Sequence, residues 1–494
     1  MAIDSSLNPI SSKQFGYEQA QHLLNRAGFG GTPYQITSLQ NLGLDQAVNY
    51  LVDYQQSPES RRTEPEVDLN IIRPPSPEQR QLIRRARQEH DEELISRLQR
   101  ERNMRQGEDR QQMRQLVQWW LSRMISTPRP LEEKLTLFWH GHFASNHRTV
   151  RDSYLMYKQN RFFRQNANGS FSRLVHGIIK DPAMLRFLDN NRNVKRKPNE
   201  NLARELMELF TLGEGHYTED DIKNGARALT GYTYVDNDFL FNRRMHDDSQ
   251  KTIFGKHGNF NGEDFVNMLL DRPECSRFIM YKLYKYFVSE VADGVTRVAE
   301  SVCGRLGRQL VKQQYELRPV LKTLFKSRHF YDPVIMGNMI KGPAHLVVGT
   351  VRTLDTPTRN IGVLADSMEM MGQQLFDPPT VAGWEGGRTM INTSTLFVRH
   401  NLCTYLITGK MPFKDDWSRD QIRYNPMFLL QNLSKRSPEA VVEQLITTVL
   451  SDWRVKQRRD EWVQFLRERS RGVTSDSVIG LLLLITATPE YQLC

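Results

Sequence analysis

At 494 residues, 39% hydrophobic and 25% charged, the chain is long enough for more than one hydrophobic core and has the balance of a soluble globular protein. Its 67 Lys and Arg against 57 Asp and Glu leave a net charge of +10, which permits attraction to phosphates or acidic glycans without requiring a nucleic-acid partner. Four scattered cysteines (Cys275, Cys303, Cys403, Cys494) with no CxxC pair argue against a disulfide framework or thiolate metal site, and the longest apolar run, Val478 to Ala487, is too short to span a membrane. The first residues show no charged segment followed by an apolar core, so the expected location is cytoplasmic, with export open only to a chain whose leader was removed.

Residues 14 to 54 carry helical periodicity broken at Gly28–Gly31 and near Gly43, and a Pro- and charge-rich linker follows from Ser57 to Gln79. Ser76-Pro77-Glu78-Gln79 has the form of a capping box with proline at the first helical position. It opens a segment to about Arg110 that is dense in Arg and Glu. This reads as a long exposed helix or hairpin arm, either laced with i, i+4 pairs or offered to an acidic polymer. Apolar content returns at Met113, Leu116, Trp119 and Trp120. After Pro128 and Pro130 a further helix runs into FWHGHFASNH, and Asp181-Pro182 starts another.

The stretch Pro198 to Gly213 reads as the organising helix, with Asn199 as N-cap, Gly213 as stop, and Leu202, Leu206, Leu209 and Phe210 on one face. Its other arc holds Asn201, Arg204, Glu205 and Glu208 without Lys or Gln, which predicts a buried polar arc. Thr218 caps the next helix. Tyr232 to Asn261, with alternating aromatics and many Asp, Asn and Gly, predicts a β-hairpin or extended excursion. Helical patterns resume from 263, a loop begins at Pro378-Pro379, and Thr393 or Ser394 caps the helix beyond it.

Two features carry chemistry. His140-Gly141-His142 can converge on a first-row metal if Gly141 lets the chain leave the helix between the imidazoles; the competing reading is a C-terminal cap and a ring packed on Trp139. Glu205 and Glu208, three apart, can face the same ion, whereas a ladder from Glu200 through Arg204 to Glu208 would tie them up structurally. Asp189, Asn199 and Glu200 lie near the same helix start. His216 and His246-Asp247 are candidate bases, and the loop Gly383 to Gly387 with Arg388 and Asn392 could present Trp384 to a ligand or simply pack. Ser145 and Asn146 near His142 form no hydrolase triad, and there is no nucleophile elbow, P-loop or dinucleotide fingerprint.

HLLNRAGFGGTP, RPLEEKLTLFWHGHFASN, DPAMLRFLDNNRNVKRKPNENLARELMELFTLGEGHYTEDD, ARALTGYTY, MGQQLFDPPTVAGWEGGRTMIN and ITATPEYQ together resemble the bacterial family called domain of unknown function 1800. The resemblance spans nearly the whole chain except the arm at 76–110 and brings no established activity. It implies a neighbouring protein similar to alkaline phosphatases and sulfatases as a possible partner, and export for many members. This chain has Gly342-Pro343-Ala344-His345 where the family more often has Pro-x-Glu.

The expectation is a mostly α fold, a multi-helix array with a small β excursion around 232–261. It divides into an N-terminal helical segment (1–54), a charged linker and arm (55–112), a helical core with the site (113–400) and a C-terminal helical segment (401–494). The expected function is a metal-dependent enzyme acting on an anionic substrate, hydrolytic before oxidative. Zn, Fe or Mn would be held by His140, His142, Glu205 and Glu208, with Glu208, His246 and Arg204 catalytic. The alternatives are a non-haem metal oxidoreductase and a non-catalytic assembly protein that docks through its arm.

Overall fold

Cap chemistry written in the sequence recurs as cap geometry. Ser76 and Thr218 each accept a hydrogen bond from the backbone three residues on and close a capping box with Gln79 and Asp221. Asp181 accepts from the Met184 amide at 2.8 Å. At the later helix the cap is Asn392, bonded to the Thr395 amide at 2.9 Å, and not Thr393 or Ser394.

The computed structural model describes residues 3–58, 64–73, 76–290, 296–410, 422–451, 456–468 and 472–494. Part of the expected linker, 59–63 and 74–75, lies outside the described residues. Among the described residues the fold is 63% helical, with 21 helices and two small antiparallel sheets. In chain order come α1 (Tyr17–Ala27), α2 (Pro33–Val52), α3 (Pro77–Gln88), α4 (Glu92–Ser126), α5 (Pro130–His142), α6 (His147–Val150) and α7 (Ser153–Gln165). They are followed by α8 (Phe171–Ile178), α9 (Pro182–Phe187), α10 (Asn201–Glu205) and α11 (Glu219–Ala228). Two hairpins then precede α12 (Gly262–Asp271), α13 (Pro273–Phe287), α14 (Thr296–Lys312), α15 (Leu317–Lys326), α16 (Pro343–Leu354) and α17 (Ile361–Met370). The chain closes with α18 (Thr393–Thr408), α19 (Pro438–Val449), α20 (Lys456–Arg467) and α21 (Ser475–Thr486). Among the described residues no helix is long and apolar enough to cross a membrane.

The excursion resolves into β1 (Tyr232–Val235) paired with β2 (Asp238–Phe241), and β3 (Lys251–Ile253) paired with β4 (Lys256–Gly258). Both turns are two residues long with positive φ at each, Asp236-Asn237 and Phe254-Gly255, the geometry that matches the twist of the flanking strands. The arm is real: α3 and the first half of α4 are largely exposed, and α4 becomes buried from Asp109 onward. Its nine arginines between 76 and 110 are met by eight acids, so it is no basic surface and the acidic-polymer reading loses its charge argument.

Two apolar cores form. One draws on residues 10–54 and 131–335, the other on Phe29, 113–157, Ala183 and 344–491. Between them stands α5, which sends Leu131, Leu135, Phe138 and Trp139 to the first and Leu137 to the second. Every residue of α5 except Gly141 is buried. The organising helix is therefore α5 and not Pro198–Gly213, and its polar residues Glu132, Glu133, Lys134 and His140 are forced to find partners inside the protein.

Candidate functional site

The helix α5 runs on through His142, so Gly141 does not release the chain between the two histidines. Residues two apart on a helix point to opposite sides, and the rings part company. His140 is boxed by Trp120, Phe376 and Trp384 at ring-centroid distances of 5.6, 5.4 and 5.6 Å, and neither ring nitrogen has a hydrogen-bond partner. His142 stacks on Phe138 and bonds through Nε2 to the Phe210 carbonyl at 3.0 Å. Burial pushes both imidazoles down to about 3, helped at His142 by the charge of Lys282.

That depression sets a pH expectation. The folded value lies below the unfolded value of about 6.5, so the stability tied to the neutral rings is complete above that pH and is lost as pH falls toward the folded value. Both rings are expected to stay neutral down to pH 5 in an NMR titration of the folded protein. A ring that titrates near neutrality would contradict the enclosure described.

The acid half of the expected site also departs from its pattern. The α-helix from Asn201 widens into a π-helix over Leu206–Thr211, where the Thr211 hydroxyl bonds back to the Leu206 carbonyl five residues earlier. The Phe210 carbonyl is thereby turned to His142. Arg204 pairs with Glu200 at 3.2 Å and Glu219 at 2.9 Å, so the ladder does not reach Glu208. Glu208 instead accepts a 2.7 Å bond from the Tyr217 hydroxyl. The arc is half-exposed: Asn201 is open to solvent, and Arg204, Glu205 and Glu208 are partly so. Burial and the neighbouring Glu208 push the Glu205 carboxyl up.

His246 is buried against Phe241, with Nδ1 at 2.8 Å from the Thr230 carbonyl, and its neighbour Asp247 is taken by Arg227 at 2.7 Å. His246 thus anchors the first hairpin. Among the described residues no group of three or more His, Cys, Asp or Glu side chains is placed to hold a metal ion. His140, His142, Glu205 and Glu208 therefore form no such group among the described residues, while Arg204 and Glu208 both lie near Glu205 and Tyr217.

The structure does join two motifs the sequence left separate. Phe376 to Trp384 wraps over the HGHF turn: the His147 amide bonds to the Phe376 carbonyl at 3.0 Å, Asn146 to the Pro378 carbonyl at 3.3 Å, and Arg148 to Asp377 at 2.7 Å. Trp384 covers Gly141, where a Cβ would stand 3.3 Å from the indole. The GWEGG loop is thus packed on α5, with the Trp384 indole N–H itself buried and unpartnered.

A ligand-sized opening lies elsewhere. A groove of about 650 Å³ runs between α13 and α14 at the end of the π-helix. Arg277, Phe278 and Tyr281 come from α13, Arg305 and Arg308 from α14, and Leu212, Gly213 and His216 from the chain leaving the π-helix. The two helices approach closely because Gly307 faces Ser276, whose carbonyl would stand 3.2 Å from any Cβ there. Arg277 and Arg308 are exposed and make no ion pair among the described residues, whereas Arg305 is partly engaged by the Ser5 and Ser301 carbonyls. Glu274 is held by Arg272 at 3.2 Å. The Cys303 thiol, pushed up to about 12 by burial, stays protonated.

Sequence reasoning passed over this groove because α13 and α14 read as ordinary amphipathic helices. The available signal was the cluster of arginines beside Phe278 and Tyr281, with small residues at 304 and 307. No curated protein and no solved structure matches the chain. The family described as "Protein of unknown function (DUF1800)" matches residues 22–493, which takes in the HGHF turn, the π-helix, the GWEGG loop and the groove; the chain belongs to that family.

Proposed function

We propose that the protein binds an anionic ligand in the groove between α13 and α14. The observation that carries this reading is the pair of uncommitted guanidinium groups, Arg277 and Arg308, beside the rings of Phe278 and Tyr281. Guanidinium presents a planar fork of donors suited to phosphate, sulfate or carboxylate oxygens, and the aromatic faces take a planar or apolar body. His216 is the imidazole at the rim and the group best placed to exchange a proton with a bound ligand.

This reading keeps the anionic-substrate half of the expectation from sequence and moves it from the HGHF turn to the groove. The metal-dependent half gains no support from His140 and His142, whose rings go to different neighbours.

Calorimetric titration with pyrophosphate, a nucleoside monophosphate and an aryl sulfate at low salt tests the proposal. At least one is expected to bind below millimolar, and each of Arg277→Ala and Arg308→Ala to weaken it roughly 10- to 100-fold, as for loss of a charged hydrogen bond. Both side chains are exposed, so the fold is expected to survive. No binding by any of the three, or binding unchanged in the double variant, overturns it.

A further inference from the structure

A second feature stands apart from the groove. Among the described residues, five buried cations have no carboxylate side chain hydrogen-bonded to them: Lys251, which is taken by two main-chain oxygens and Asn259, and Arg26, Lys134, Lys341 and Arg399. Arg26 donates to four main-chain oxygens and to Asn338, and its charge is eased at longer range by Cys494 and Glu290. Arg399 donates to the Lys341 carbonyl and to Gln492, with two of its nitrogens unpartnered.

Lys341 and Lys134 are less well served. The Lys341 ammonium has one hydrogen bond, to the Tyr491 carbonyl at 2.8 Å, and lies 4.1 Å over the Tyr491 ring. An ammonium carries three donors, so two of them have no acceptor here. Lys134 meets the His345 Nδ1 at 3.1 Å. With an ammonium facing Nδ1, the imidazole proton sits on Nε2, which makes the far side of the ring a donor as well.

Lys341 and His345 both line an enclosed cavity of about 10 Å³, together with Gln21, Asn25, Thr353 and Tyr491. That is room for roughly one water-sized particle. The lining holds no carboxylate, and its charged member is positive. A water could take up donors but would leave the buried charge of Lys341 eased only by Cys494 and Cys403, which is costly in a low-dielectric interior.

We infer that this cavity is a binding site for one small inorganic anion of halide size, held by the Lys341 ammonium and the Nε2–H of His345. The anion supplies the negative charge that the surrounding side chains lack. It stabilises the folded chain in proportion to its occupancy, since it has no site in the unfolded one.

Crystals of the full chain soaked in sodium bromide, read by anomalous scattering, decide the matter directly. A bromine peak in the cavity is expected. In parallel, thermal unfolding in sodium chloride is expected to lie on the order of 2 °C above that in sodium gluconate at equal ionic strength. That difference disappears in Lys341→Met, which removes the charge, and in His345→Glu, which supplies a fixed one. Absence of the bromine peak, or a halide effect that persists in Lys341→Met, overturns the inference and leaves the cavity to water.

Discussion

Replacing Glu133 by glutamine is expected to destabilise the protein by about 3–5 kcal/mol, the cost of leaving buried charge uncompensated. Glu133 is fully buried at the middle of α5's contacts with α4 and α7. One carboxylate oxygen accepts from Arg123 at 2.5 Å and Arg164 at 2.8 Å; the other accepts from the Trp120 indole at 2.9 Å and again from Arg164 at 3.1 Å. Glutamine keeps the shape and loses the charge, so Arg164 loses the carboxylate it pairs with and Arg123 keeps only its longer contacts to Glu132 and Glu64.

The two arginines hold the Glu133 carboxyl below its ordinary range even though burial alone would raise it. For an acid so depressed, the stabilisation is full above the unfolded value of about 4.3 and is lost as pH falls through the folded value. The adjacent Glu132 behaves oppositely. Burial and the charge of Glu133 push it up to about 7, so its contribution is greatest in acid and is lost as pH rises through that value. Urea unfolding of wild type and Glu133→Gln at pH 7 checks the main claim. A loss below about 1 kcal/mol, the size of an ordinary hydrogen bond, would show that the carboxylate charge is not what joins the three helices.

Gly383→Ala is the second large effect expected. Gly383 has φ +90°, and a Cβ there would stand 2.1 Å from the Gly141 carbonyl oxygen, far inside contact distance. The obstacle is backbone of a buried helix and cannot swing aside. Left-handed strain of about 1–3 kcal/mol adds to the clash, so a total near 3 kcal/mol or more is expected, with the Phe376–Trp384 segment lifting from α5. Gly386, in the same GWEGG motif, is the control: it has φ −128°, and a Cβ added there would meet nothing within 4 Å, so Gly386→Ala is expected to change stability by less than about 1 kcal/mol. Denaturant unfolding measures both, and tryptophan emission reports whether Trp384 leaves its place over His140. Equal effects of the two substitutions would refute the proposed seam.

These two residues also mark where reading the chain succeeded and where it stopped. The HGHF and GWEGG stretches stand out in the sequence, but their contact does not, because about 240 positions separate Gly141 from Gly383. Arg204 was legible as an ion-pairing residue through its i−4 neighbour Glu200, while its other partner, Glu219, lies beyond the helix stop. Glu208 went to a tyrosine nine residues on, a pairing with no helical spacing to announce it.

The sequence alone determined what is local. Apolar period 3.6 marks the helices, Ser, Thr, Asp and Asn before them satisfy their first amides, and Asp236-Asn237 turns the first hairpin. Such choices depend on atoms a few residues apart, whose relative positions the backbone fixes. Only the tertiary structure decided that α5 carries His140 and His142 to opposite sides, that Glu133 serves two arginines, that α13 and α14 leave a groove lined by three arginines with Glu274 and Glu300, and that Lys341 lies against a cavity. A period tells which face of a helix is buried, but several polar groups compete for each partner inside, and which one arrives is set by how distant segments pack.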